Sequence, residues 1–101
     1  MFMNVLFPDP LMNNDFYTNL HTRLKANTSW PSVYMFKFIL PNDNRKMAIL
    51  RQIFEQDSRF FEKTSNKGNY ISVTVKIVML NPDEVISRYR QVAEIEGVMM
   101  L

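Results

Sequence analysis

The sequence predicts an α+β fold, one antiparallel sheet with helices packed on it. Three features carry that reading. Ile71, Val73, Val75, Ile77 and Met79 alternate with Tyr70, Ser72, Thr74 and Lys76, the two-residue period of a half-buried strand. Two stretches with apolar residues at three-to-four spacing open on helix-capping residues, at Asn42-Asp43 and at Asn81-Pro82. Asn66-Lys67-Gly68 separates two strand-like runs and ends on the residue type that adopts positive φ at little steric cost.

Composition fits that class. A chain of 101 residues, 47% of them apolar, is long enough and greasy enough to bury one core without covalent staples. Eight Phe supply bulk and eight Met supply adaptable packing. There is no cysteine, which removes disulfides, Cys-ligated zinc, iron–sulfur clusters and thiol catalysis together and leans towards a reducing compartment. Twelve Lys and Arg against ten Asp and Glu leave a net charge of +2, too balanced to point to nucleic acid or an anionic membrane. Met1 to Phe7 lacks the basic flank of a signal peptide, and no apolar run approaches the ~20 residues of a bilayer span. A cytoplasmic location with no membrane contact is therefore expected.

Residues 1–14, MFMNVLFPDPLMNN, mix apolar residues with Pro8 and Pro10 and show no period, so they read as a mobile arm, with Met12 an alternative start. Residues 15–101 are expected to form a single domain. Its leading helix runs over 15–27: Asn14 caps it, Asp15 suits its positive end, and Phe16, Leu20 and Leu24 recur every four residues. Trp30-Pro31 blocks helical continuation. Val33 to Leu40 is an apolar run with one charge, Lys37, as a central strand requires, and Pro41 ends it. A helix opening at Asn42 or Asp43 turns Met47, Leu50, Ile53 and Phe54 inward. Arg59 to Ser65 and Asn69 to Met79 form a hairpin whose three-residue loop places Phe61 opposite Val73. Asn81-Pro82-Asp83-Glu84 opens the last helix with an Asn cap, Pro at the first helical position and Glu three residues after the cap. Val85, Ile86, Tyr89, Val92 and Ala93 make its buried face, Gly97 stops it, and Val98 to Leu101 supply a short final strand.

The order is thus a helix followed by β-α-β-β-α-β, a ferredoxin-like sandwich with an extra N-terminal helix. Right-handed crossovers put both crossover helices on one face of a four-stranded antiparallel sheet of order 4-1-3-2. The other face is left open. Met35, Lys37 and Ile39 point to it when Tyr34, Phe36 and Phe38 face the helices, and the stripe Phe16, Leu20 and Leu24 is expected to cover it, from the same chain or a second subunit.

WPSVYMFKFILP with the helix after it, SNKGNYISVTVKIVM, NPDEVISRYRQV and the terminal EGVMML resemble the YbeD-like family, a bacterial domain of unknown function, number 493 of that series. The resemblance runs from about Trp30 to Leu101 and is most specific at Ser65, Lys67, Gly68, Tyr70, Ser72, Val73 and Thr74. The leading helix is similar to the extended form of some members, whereas the arm before Asn13 departs from the pattern. The resemblance implies a ferredoxin-like fold similar to ACT-type regulatory domains, and no reaction.

Few residues suggest chemistry. His21 is the only histidine and has no carboxylate at an obvious spacing, so it reads as a surface residue of a helix rather than a base. The turn Pro41-Asn42-Asp43-Asn44 lacks the Gly and Arg of an acylphosphatase-type phosphate loop, and with two glycines in the chain no phosphate cradle is expected. Catalysis, cofactor and metal are all expected to be absent. RNA-recognition domains share the topology, and Lys67-Gly68-Asn69-Tyr70 begins like their third strand. Ser72 and Thr74 then occupy positions where stacking rings belong, which leaves Tyr70 alone and makes nucleic acid an unfavoured partner. Arg59, Lys63 and Lys67, with Lys76 nearby, either engage an anionic or acidic partner or protect an edge strand from other chains. The expected function is a non-catalytic regulatory or protein-interaction module. A sensing domain for an amino acid or organic acid, bound near Asn42 to Asn44, is the alternative, with RNA binding behind both. The residues expected to form the interaction surface are Phe16, Leu20, Leu24, Met35, Lys37, Ile39, Lys67 and Tyr70, meeting an unidentified protein or a second copy.

Overall fold

The computed structural model describes residues 14–54 and 58–101, so the arm expected over residues 1–14 lies, apart from Asn14, outside the described residues. The elements follow the order α1 (Asn14–Asn27), β1 (Ser32–Pro41), α2 (Asn44–Phe54), β2 (Arg59–Thr64), β3 (Tyr70–Met79), α3 (Pro82–Val92) and β4 (Met99–Met100). The four strands form one antiparallel sheet in the order β2-β3-β1-β4, a ferredoxin-like arrangement.

The helices start where their side chains satisfy the first free amides. Asp43 Oδ1 accepts from the backbone N–H of Arg45 at 2.8 Å and of Lys46 at 3.1 Å, opening α2. Asn81 Oδ1 accepts from Glu84 N–H at 2.9 Å, while Glu84 Oε1 reaches back to Leu80 N–H at 3.0 Å. Each helix then buries one stripe, Met47, Leu50 and Phe54 from α2 and Val85, Ile86, Tyr89 and Val92 from α3. These stripes meet Phe36, Phe38, Leu40, Ile71, Val73, Val75, Ile77 and Met79 on one side of the sheet. Arg88 Nη1 donates to Ile53 O at 2.9 Å and ties the two helices together.

Three expectations are corrected. The leading helix does not cover the open side of its own chain's sheet. It packs beside α3 in the helix layer, where Tyr17 is 2% exposed and Phe16, Leu20 and Leu24 lie against the core, with the Phe16 ring 6.3 Å from that of Tyr89. The reason is that Tyr17, next to the stripe, widens the apolar face to fill the flank of α3.

The hairpin loop holds four residues rather than three. Gly68 N–H still donates to Ser65 O at 2.9 Å, and Gly68 takes φ of 78°, but Ser65 pairs with Tyr70 instead of Asn69. Ser65 Oγ also accepts from Tyr70 N–H at 3.1 Å, which fixes that pairing. The register moves by one, so Phe61 faces Thr74 and Glu62 faces Val73. A one-residue slip exchanges the two sides of a strand. Phe60 therefore packs against the core and Phe61 is turned away from it, 52% exposed.

Gly97 does not end the last helix, which closes at Val92 with Ala93 as its cap. Ile95 follows as a buried plug, and Gly97, at φ of 85°, then turns the chain into β4 where a Cβ would lie 2.9 Å from Pro41 Cγ. The glycine is required by close packing on the end of β1 and by its backbone conformation.

Candidate functional site

The pleat that sends Phe36 and Phe38 into the core sends their neighbours to the uncovered side. Strand register arranges that side in lateral rows. Val33 lies beside Val78, Met35 beside Lys76 and Arg59, Lys37 beside Thr74 and Phe61, and Ile39 beside Ser72, Lys63 and Met99. Val33, Met35, Phe61 and Val78 are exposed large apolar residues, and a shallow depression of about 270 Å³ is lined by Val33, Arg59, Lys76, Ile77 and Val78.

The charge on this face is one-sided. Lys37, Arg59, Lys63 and Lys76 occupy it, and none of the strand positions on it is acidic. The nearby Glu62 points the other way and pairs with Arg51 of α2. Arg59 stands directly opposite Lys76, a like-charge cross-strand pair that works against folding. Lys76 Nζ sits 5.5 Å from the centre of the Phe61 ring, whose negative face offsets part of that repulsion.

Of the residues expected to form the interaction surface, Met35, Lys37, Ile39 and Tyr70 share this face, Tyr70 at its end opposite Pro41. Lys67 is exposed in the hairpin turn. Phe16, Leu20 and Leu24 are held behind the sheet; Phe16 and Leu20 line a separate groove of about 410 Å³ with Arg23, Tyr34, Tyr89, Met100 and Leu101. Sequence reasoning missed Phe61, Val33 and Val78. The period of two marks Val33 and Val78 once Phe36 and Val75 are placed inside, but no local signal places Phe61.

A second cleft of about 410 Å³ lies between α1 and α3, lined by Tyr17, Thr18, His21, Thr22, Asp83, Ile86, Ser87 and Arg90. His21 Nε2 and Asp83 Oδ1 are 2.8 Å apart there, although 62 positions separate them in the chain, a partner at no spacing that the sequence singles out. Asp83 is well exposed, and the Ser87 hydroxyl accepts from Gln91 Nε2 at 3.3 Å, with no hydrogen bond from Ser87 to His21 among the described residues. The cleft has the residue types of a nucleophile–base pair without its bonding. Beside it the Arg90 guanidinium lies 4.4 Å from the centre of the Tyr17 ring. Burial raises the Tyr17 phenol above its ordinary pKa; Arg90 opposes the rise and Glu94 adds to it. Tyr89 is raised further, by burial first and then by Tyr34, whose hydroxyl is 3.0 Å away.

The turn where the sensing alternative would seat a small acid is already occupied by the protein. Asp43 takes up the first amides of α2, and Asn42 Nδ2 donates to Gly68 O at 2.8 Å. Among the described residues no three His, Asp or Glu side chains converge on a metal site, and no helix is long and apolar enough to cross a membrane.

The fold and this bare, cationic sheet face define a small α+β domain of ferredoxin-like topology. The family model described as "Protein of unknown function (DUF493)" matches residues 25–101, and the chain belongs to that family. It is 30% identical over 83 residues to a UPF0250 protein of Shewanella halifaxensis, covering 78% of this chain and 94% of that one. A UPF0250 protein of Haemophilus influenzae strain Rd is 30% identical over 89 residues, covering 82% of this chain and 95% of the relative. No solved structure matches the chain.

Proposed function

We propose that this protein is a non-catalytic protein-interaction module whose contact surface is the open face of the sheet. The observation that carries the reading is the composition of that face: four cations with no carboxylate among its described strand positions, set between exposed Val33, Met35, Phe61 and Val78. Apolar patches rimmed by charge mark contact surfaces, and Arg59 opposite Lys76 is a cost to folding that an anionic partner would turn into a gain. The alternative of acid sensing at the α2 N-terminus loses support because the amides it needs are already bonded.

A photo-cross-linking amino acid placed at Met35 or at Phe61, with Gln52 on the exposed side of α2 as control, tests this in the native cell. Discrete adducts are expected from the two sheet positions and none from Gln52. Adducts from Gln52 alone, or none from the sheet positions, would remove the proposal.

A further inference from the structure

We infer that the open face receives an acidic amphipathic helix of a partner protein, with the helix's apolar stripe over Val33, Met35 and Ile39 and its carboxylates over Arg59, Lys63 and Lys76. This rests on the open face being the contact surface, and it names what the surface takes.

The face is divided by strand. β1 contributes Val33, Met35 and Ile39 with one cation, Lys37, whereas β2 contributes Arg59 and Lys63 on either side of Phe61, and Lys76 stands between the two strands on β3. Neighbouring strands are about 4.8 Å apart, so β1 to β2 spans roughly 10 Å, the width of one helix with its side chains. A helix laid along the strands therefore meets aliphatic side chains on one flank and cations on the other. The opposite face of the same strands is covered by two helices, α2 and α3, laid side by side.

Charge and side-chain type select among occupants. A second copy set face to face would bring four cations against four with no carboxylate between them, which repels rather than steers. Single-stranded RNA would satisfy the charge but needs rings on the central strands, where β1 and β3 carry Met35, Lys37, Ser72 and Thr74. Phe61 lies on the edge strand with Lys76 already against its ring. Aliphatic surface beside cations with no acidic neighbour among the described strand positions of the face fits an acidic, amphipathic protein segment.

The test titrates the isotope-labelled full chain with three probes: a synthetic amphipathic helix with a Leu stripe flanked by Glu, the same peptide with Lys for Glu, and polyuridine. The acidic helix is expected to shift the amide signals of Met35, Lys37, Thr74 and Lys76. Its affinity should fall about tenfold between roughly 50 and 300 mM salt, as contacts between charges on a solvated rim do. A Lys37→Glu/Lys76→Glu variant should lose about tenfold in affinity, a Lys37→Gln/Lys76→Gln variant less, and Lys25→Glu on α1 nothing. Tighter binding of the Lys peptide, or shifts on this face from polyuridine alone, would overturn the acidic helix while leaving the sheet face as the contact surface. A face that no probe shifts overturns the helix as well, and cross-linking from Met35 then decides separately for the face.

Discussion

Met35 and Phe36 are neighbours in the chain and live in different environments. Phe36 is fully buried, with ring centres of Phe54, Tyr34 and Tyr89 at 4.9, 4.7 and 5.0 Å, while Met35 is 46% exposed beside Lys76. One side of β1 is packed like a crystal of rings and the other is a wet mixture of thioether, ammonium and hydroxyl groups. The difference teaches that this sheet specifies its fold from one side only. The side free of that duty holds a charge arrangement that folding alone would not favour.

The largest test of that contrast is Phe36→Ala, which should destabilise by about 3–5 kcal/mol in urea unfolding because it opens a cavity where neighbours cannot collapse. A loss under about 1 kcal/mol would mean the aromatic cluster is not the core. The two positive-φ glycines come next. Gly97→Ala combines an unfavourable backbone conformation with a contact to the rigid Pro41 ring, whereas Gly68→Ala meets nothing within 4 Å. Gly97→Ala is expected to cost about 2–3 kcal/mol and Gly68→Ala about 1–2 kcal/mol by thermal unfolding, and the reverse order would break the packing account of the β4 entry.

Alkali should find the buried side as well. Tyr89 has its pKa raised above the ordinary 10.0 by burial, so the folded state holds the phenol neutral while the unfolded chain ionises it. The stability from this group is complete below pH 10 and is lost as pH rises beyond it, at up to about 1.4 kcal/mol per pH unit. Melting curves from pH 8 to 11 should fall less steeply for Tyr89→Phe than for the parent, and equal slopes would exclude Tyr89 as the cause. The smallest effect belongs to the open face: Met35→Ala and Thr74→Ala should change stability by no more than about 0.5 kcal/mol, and a larger loss from either would show that this face also serves the fold.

Both crossover helices and the inward residues of β3 were readable because period and capping chemistry are local, and the sheet order followed from them through the fixed handedness of crossover connections. What was not readable depended on contacts between distant residues. Whether the Ser65 hydroxyl would capture the Tyr70 amide and lengthen the loop to four residues is not encoded by Gly68, which suits either length. The side of the sheet taken by α1 turned on Tyr17, which the Phe16, Leu20 and Leu24 stripe did not include. Half of the candidate surface followed from alternation along β1. The rest, Phe61 opposite Thr74, waited on the hairpin register, and the His21–Asp83 contact joins elements that nothing local relates.

The four-residue hairpin makes display of an aromatic ring depend on which residues the turn pairs rather than on the identity of any strand side chain. Pairing Ser65 with Asn69 instead of Tyr70 would turn β2 over like a card, pulling Phe61 inward and presenting Phe60 without changing a single strand residue. In engineering this protein, the Ser65 hydroxyl that holds the Tyr70 amide is thus the point from which to rewrite what the domain offers to its surroundings.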